Sequence, residues 1–171
     1  MRSEWDDLGI PNEDAYHPVE TADFGGRGRT DQQLYLRIPK RGTAFPAVVW
    51  FHGGGLTGGG REVPDALFDG RMAVIEARYR LSPEFPAPAA LADAVAATAW
   101  TLKRAEARGI DPERVFVGGM SAGAWLAAMT GMDRSYLAAY GIDSRKLAGL
   151  LLVSGQMTTH FQLKIDLHYP Q

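Results

Sequence analysis

Gly119-Met120-Ser121-Ala122-Gly123 constrains this chain more than any other stretch. It follows the apolar run Val115-Phe116-Val117 and precedes Ala124-Trp125-Leu126-Ala127-Ala128-Met129, which reads as a helix. A strand, a sharp turn with a serine at its tip and a helix are therefore expected in direct succession. Glycines two residues either side of Ser121 let the backbone fold tightly where a Cβ would clash.

The flanking sequence repeats the strand–helix theme. Ala47-Val48-Val49-Trp50-Phe51, Met72-Ala73-Val74-Ile75 and Leu150-Leu151-Leu152-Val153 are further continuous apolar runs of strand length. Runs that do not alternate indicate strands covered on both faces, as in a parallel sheet flanked by helices. Gln33-Leu34-Tyr35-Leu36-Arg37-Ile38 alternates and suits an outer strand, ended by Pro39. Pro88 to Arg108 reads as a long helix closed by Gly109, with Leu91, Val95, Ala99 and Leu102 forming one stripe to pack on a sheet. Tyr136 to Tyr140 reads as a short helix. Strands alternating with helices predict an α/β fold, mostly a parallel sheet. The first 30 residues are polar and rich in Gly, Pro and Asp, with an exposed loop over residues 24–29. The organisation is thus a polar segment over 1–30 and a single domain over 31–171.

Composition narrows the function classes. A net charge of -2 provides no basic footprint for nucleic acid, and no run approaches the roughly 18 apolar residues of a membrane helix. The absence of Cys excludes thiol nucleophiles and thiolate metal sites. Met1 to Leu8 has no apolar signal region, so a cytoplasmic location is the default.

Two glycine-rich stretches compete for meaning. Gly53-x-Gly55-x-x-Gly58 formally matches a dinucleotide fingerprint, and Glu76, 18 residues past Gly58, could meet a ribose. That reading needs a helix opening inside the motif, where Gly58-Gly59-Gly60 and then Pro64 oppose one. His52-Gly53-Gly54-Gly55, directly after an apolar strand, fits another chemistry. Consecutive glycines let a loop turn N–H groups inward to hold a developing oxyanion, and the residue after a nucleophilic serine supplies a further N–H. Ser121 is the candidate nucleophile, and Ala122 fills the place of the residue after it. His52, with Gly53 beside it, is placed to brace the loop rather than to act as base. Glu84 and Asp93 suit structural roles, and Trp50, Trp100 and Trp125 suit packing.

Tyr79-Arg80-Leu81-Ser82-Pro83-Glu84, followed by Pro86-Ala87-Pro88-Ala89-Ala90-Leu91-Ala92-Asp93, joins the two loops. From about Gln33 onward, the three segments together resemble the hormone-sensitive-lipase-like α/β-hydrolases, a group of carboxylesterases and lipases with a feruloyl-esterase-like branch. The resemblance implies a serine carboxylester hydrolase acting through an acyl-enzyme on a small-molecule ester, with Ser121 as nucleophile and Gly54, Gly55 and Ala122 as oxyanion donors. It implies no metal or cofactor.

The family places its acid after a seventh strand and its histidine after an eighth. Here only 48 residues follow Gly123. Two strand–helix units, about 30 residues each, are expected to be missing, and the tail reads as stopping mid-segment. Asp166 and His168 come in the right order for a substitute triad, but they fall where the family carries a substrate-side segment, as do Thr158 to Phe161. The expectation is therefore an incomplete, inactive chain whose edge strand, Leu150 to Val153, is open to self-association. A non-catalytic ligand-binding protein on the same scaffold is the alternative.

Overall fold

The computed structural model describes residues 10–169. The N-terminal residues read as lacking a signal, and Pro170-Gln171, lie outside the described residues. Six strands form one sheet: β1 (Glu20–Asp23), β2 (Gln33–Arg37), β3 (Phe45–Phe51), β4 (Ala73–Ala77), β5 (Ile110–Met120) and β6 (Gly149–Val153). Their spatial order is β1-β2-β4-β3-β5-β6. β4, β3, β5 and β6 run parallel, and β2 and β1 continue the sheet antiparallel. The helices are α1 (Pro88–Arg104), α2 (Ala122–Met132), α3 (Arg134–Ala138) and α4 (Phe161–Asp166).

The apolar runs of β3 and β4 are buried on both faces, as continuous hydrophobicity requires, whereas the run in β6 is only partly covered. Ala47, Val49 and Phe51 of β3 point into the core beneath α1 and α2. Val48 and Trp50 point the other way, against Val74, Phe68, Tyr16 and Ile10. α1 ends earlier than its composition predicts. A short 3-10 turn spans Glu106–Arg108, and Gly109 at φ 68 then closes it in the left-handed region.

β2 is not an outer strand. Its residues Leu34 to Arg37 are buried because β1 pairs with it from outside. The described part of the polar segment thus belongs to the same sheet, and it also contributes Ile10 and Tyr16 to the second apolar cluster. β6 has β5 on one side and, among the described residues, no strand on the other. Leu152 and Val153 are 36% and 40% exposed there.

Candidate active site

Strand register brings the two glycine loops together. Phe51, the last residue of β3, is level with Gly119 near the end of β5. The chain therefore leaves these neighbouring strands at the same edge, into residues 52–60 on one side and Ser121 on the other. Glycine is required at the elbow by close backbone approach. A Cβ on Gly123 would run into the backbone of Phe51 and His52, and one on Gly119 into the backbone of Gly123 and Phe51. α2 can therefore start hard against the end of β3.

Ser121 itself has φ 53 and ψ -116, an uncommon conformation for a non-glycine residue that costs about 1–3 kcal/mol. Its backbone is tied down: its N–H donates to the Val153 carbonyl at 2.8 Å, and its carbonyl accepts from Trp125 N–H. Its side chain is presented at an exposed tip. Among the described residues, no hydrogen bond engages the Ser121 hydroxyl.

The other loop is held by its carbonyls. His52 Nδ1 lies 2.7 Å from the Gly53 carbonyl, and because a carbonyl only accepts, Nδ1 carries the proton. Burial pushes the His52 pKa down, against the opposing pull of that bond and of Glu62, which keeps the ring neutral. Tyr79 stacks on the ring, 4.3 Å between centroids, and donates its hydroxyl to the His52 carbonyl at 2.8 Å. The Gly54 carbonyl accepts from the N–H groups of Thr57 and Gly58. In a trans peptide the N–H points opposite the preceding C=O. Engaging the Gly53 and Gly54 carbonyls on one side thus aims the Gly54 and Gly55 N–H groups to the other. Gly54 and Gly55 have φ 105 and 64, the left-handed region glycine tolerates. Among the described residues, no turn, loop or cap hydrogen bond uses the N–H of Gly54, Gly55 or Ala122. Ala122 begins α2, where the helix dipole favours a negative charge.

The dinucleotide reading fails here. No helix opens after Gly58; residues 58–64 have no regular structure. Glu76 is 2% exposed, and its carboxylate is gripped by Arg61, whose Nη2 lies 2.8 Å from Oε1 and whose Nε meets Oε2. Arg37 approaches the same carboxylate at 3.5 Å. The carboxylate is committed to this buried cluster.

Asp166 and His168 do not form a substitute pair with Ser121. Asp166 accepts from Ala87 N–H at 2.7 Å, from Gln162 at 2.7 Å and from Ser82 at 3.2 Å. Burial works to raise its pKa, but these bonds outweigh it and hold the carboxyl below the usual range. Its work is to tie α4 to the turn that opens α1. His160 caps α4, accepting from Gln162 N–H, and is packed between Trp125 and Phe161. Asp93 is buried and clamps Arg80 and Gln32, while Glu84 is exposed. Trp50 and Trp125 are core residues, and Trp100 carries the guanidinium groups of Arg104 and Arg108 on its faces.

Motif reasoning missed Glu62. Its carboxylate accepts the Gly53 N–H at 3.0 Å, close to Ser121. Its sole sequence signal is an acid within the Gly-rich loop, nine positions beyond Gly53. Two concavities of about 580 and 530 Å³ are not lined by Ser121. The first lies along α1, and the second reaches His52 and Gly59 from behind the loop. The serine sits in the open.

Comparison with known proteins bears on the family and the fold. The carboxylic ester hydrolase LipN of Mycobacterium tuberculosis is 45% identical over 97 residues, covering 53% of this chain and 26% of LipN. The carboxylesterase NlhH of the same species is 38% identical over 119 residues, covering 65% of this chain and 37% of NlhH. Among solved structures, the thermostable carboxylesterase EstE1 from a metagenomic library superposes with a TM-score of 0.69 at 28% identity, covering 89% of this chain and 51% of EstE1. The chain thus spans about a quarter to two fifths of the length of these two curated relatives. A family model described as alpha/beta hydrolase fold matches residues 48–164, from inside β3 to inside α4. The chain belongs to the alpha/beta hydrolase fold family.

Proposed function

We propose that this sequence carries the nucleophile and oxyanion half of a serine carboxylester hydrolase. The observation that supports the proposal is the level ending of β3 and β5, from which the Gly-rich loop and the Ser121 elbow leave at one edge, with the Gly54, Gly55 and Ala122 N–H groups used by no loop contact among the described residues. On this reading Ser121 Oγ attacks the ester carbonyl carbon. The former carbonyl oxygen takes the electron pair and is held by Gly54, Gly55 and Ala122. Collapse expels the alcohol and leaves an acyl-serine, which water then hydrolyses to a carboxylic acid and free Ser121. His52 and Gly53 shape the donor loop without touching the ester. The carboxylesterase relatives support an ester as the substrate class.

A serine needs a base for its proton, and among the described residues none is hydrogen-bonded to Ser121. The 171-residue chain by itself is therefore expected to hydrolyse esters feebly. Among the described residues, no helix is long and apolar enough to cross a membrane. The free side of β6 supports self-association of the isolated chain by strand pairing, which light scattering would report as dimers or larger species; a clean monomer would refute it.

Hydrolysis of a short-chain chromogenic ester by the protein expressed from its whole reading frame tests the catalytic reading. Ser121→Ala is expected to lower the rate by about three orders of magnitude or more. Equal rates with and without the hydroxyl would overturn it. Saturable binding of the ester without turnover would instead favour a ligand-binding protein.

A further inference from the structure

We infer that Glu62 is a positioning residue that presets the donor loop, an inference that rests on the reading of Gly54 and Gly55 as oxyanion donors. Gly53 lies between two peptide planes, and each is held by different side chains. The Gly53–Gly54 plane is held through its carbonyl by His52 Nδ1, at 2.7 Å. The His52–Gly53 plane is held at both ends: its carbonyl accepts from the Tyr79 hydroxyl at 2.8 Å, and its N–H donates to Glu62 Oε2 at 3.0 Å. With both planes fixed, the φ and ψ of Gly53 are fixed too. Those two angles set where the Gly54 N–H points.

Without Glu62, the His52–Gly53 plane would keep only the Tyr79 bond to its carbonyl, a single tether beside the most permissive residue type in the chain and immediately before the first donor. Donors act by being aimed before charge develops, so loss of aim is paid in the transition state. Substrate binding in the ground state is little affected.

Glu62 is itself held in place from the sheet side. Its neighbour Arg61 is 6% exposed and grips Glu76 of β4 with a two-point fork, and Glu76 is level with Trp50 of β3. The loop thus returns from Gly58-Gly59-Gly60 to a fixed point one residue before Glu62. The carboxylate also borders Ser121. A Cβ built on Gly53 would lie 3.0 Å from Glu62 Oε2 and 3.4 Å from Ser121 Cβ. Glu62 therefore closes the space between the two loops at the point where both meet Gly53. Its task is to accept a hydrogen bond, and a neutral amide oxygen can do the same.

Two measurements test this, with Glu62→Ala and Glu62→Gln in each. By NMR, hydrogen exchange of the Gly53 amide in this chain should quicken about tenfold or more in the alanine variant and stay near the parent rate in the glutamine variant. In the protein expressed from its whole reading frame, Glu62→Ala should lower kcat for a chromogenic ester by about ten- to a hundredfold with KM within about twofold, and Glu62→Gln should restore most of kcat. Unchanged exchange and kcat in the alanine variant would overturn the inference, as would a glutamine variant as impaired as alanine, which would make charge the operative property. If the parent shows no Ser121-dependent hydrolysis, the esterase reading fails, and the exchange rates alone decide whether Glu62 fixes the loop.

Discussion

The loops that leave β3 and β5 lie side by side, yet their shapes are enforced in opposite ways. The elbow around Ser121 is shaped by missing side chains, since Gly119 and Gly123 allow backbone to approach backbone, and by backbone hydrogen bonds to Val153 and from Trp125. The loop over residues 52–62 is fixed by side chains that reach into it. His52 and Tyr79 hold it from below, and Glu62 holds it from the side, with Arg61 on Glu76 as the anchor. A turn specified by sterics tolerates almost no change at its glycines. A turn specified by polar contacts can fail at residues remote from it in sequence.

The anchor gives the sharpest way to break that second mode. Glu76→Ala removes the carboxylate that Arg61 grips with a two-point fork and Arg37 approaches at 3.5 Å, with the two arginine side chains 6% and 8% exposed. Breaking a buried ion pair from one side typically costs about 3–5 kcal/mol, because the remaining charge stays buried. A loss of about 4 kcal/mol is expected in urea unfolding, together with faster exchange of amides in residues 53–62. An unfolding midpoint within experimental error of the parent would show that the loop does not depend on this anchor.

The steric mode predicts a loss nearly as large at a residue with no polar side chain at all. Gly123→Ala would push a methyl group into the Phe51 and His52 backbone, and α2 would have to move off β3. Overpacking against atoms that cannot rotate away should cost about 3 kcal/mol, read in the same urea titration. A stability change under 0.5 kcal/mol, a size typical of surface substitutions, would contradict the close packing at the elbow.

These two cases also separate what was legible in the sequence from what was not. The elbow is written locally, as five residues between an apolar run and a helical one, and the four parallel strands were readable from runs such as Ala47 to Phe51. β1 was hidden because Glu20-Thr21-Ala22-Asp23 is short and polar, an edge strand with little to bury. That omission made β2 look like the outer strand. The side-chain partners were hidden for a different reason: periodicity carries no record of them. Asp166 meets Ser82 across 84 positions and Ala87 across 79. Arg61 meets Glu76 only because β4 runs beside β3. Glu76 was noticed as a carboxylate near a strand end, but burial beneath Arg61 gives it a structural task instead.

Acid should loosen the polar loop before it affects the elbow. Burial lowers the His52 pKa, so the folded chain binds this proton less readily than the unfolded chain. Its contribution to stability is complete above the ordinary histidine range, near pH 6.5, and falls as pH drops through that range toward the lowered folded value. His160, also lowered by burial, acts in the same direction. The urea midpoint should therefore decline between pH 7.5 and 5.5, and His52→Asn should flatten part of that decline. A parent midpoint that rises on acidification would contradict a neutral, buried His52.

The smallest effect sharpens the comparison most. Gly58 lies in the same loop as Gly54, but a Cβ there would meet nothing within 4 Å, and its φ is not in the left-handed region. A Cβ on Gly54, at φ 105, would strike the backbone of Gly58. Gly58→Ala should therefore change stability by no more than about 0.5 kcal/mol, and the reduced freedom of the unfolded chain favours a slight gain. Gly54→Ala should be clearly destabilising under the same conditions. If both substitutions proved equally harmful, loop 52–62 would be specified by its glycines throughout, as the elbow is. If both proved neutral, the backbone path that aims the Gly54 and Gly55 N–H groups would be wrong. The expected contrast between them assigns the steric requirement to particular glycines of the loop, to Gly54 and also to Gly59, whose Cβ at φ 117 would strike the Gly53 carbonyl, and not to Gly58.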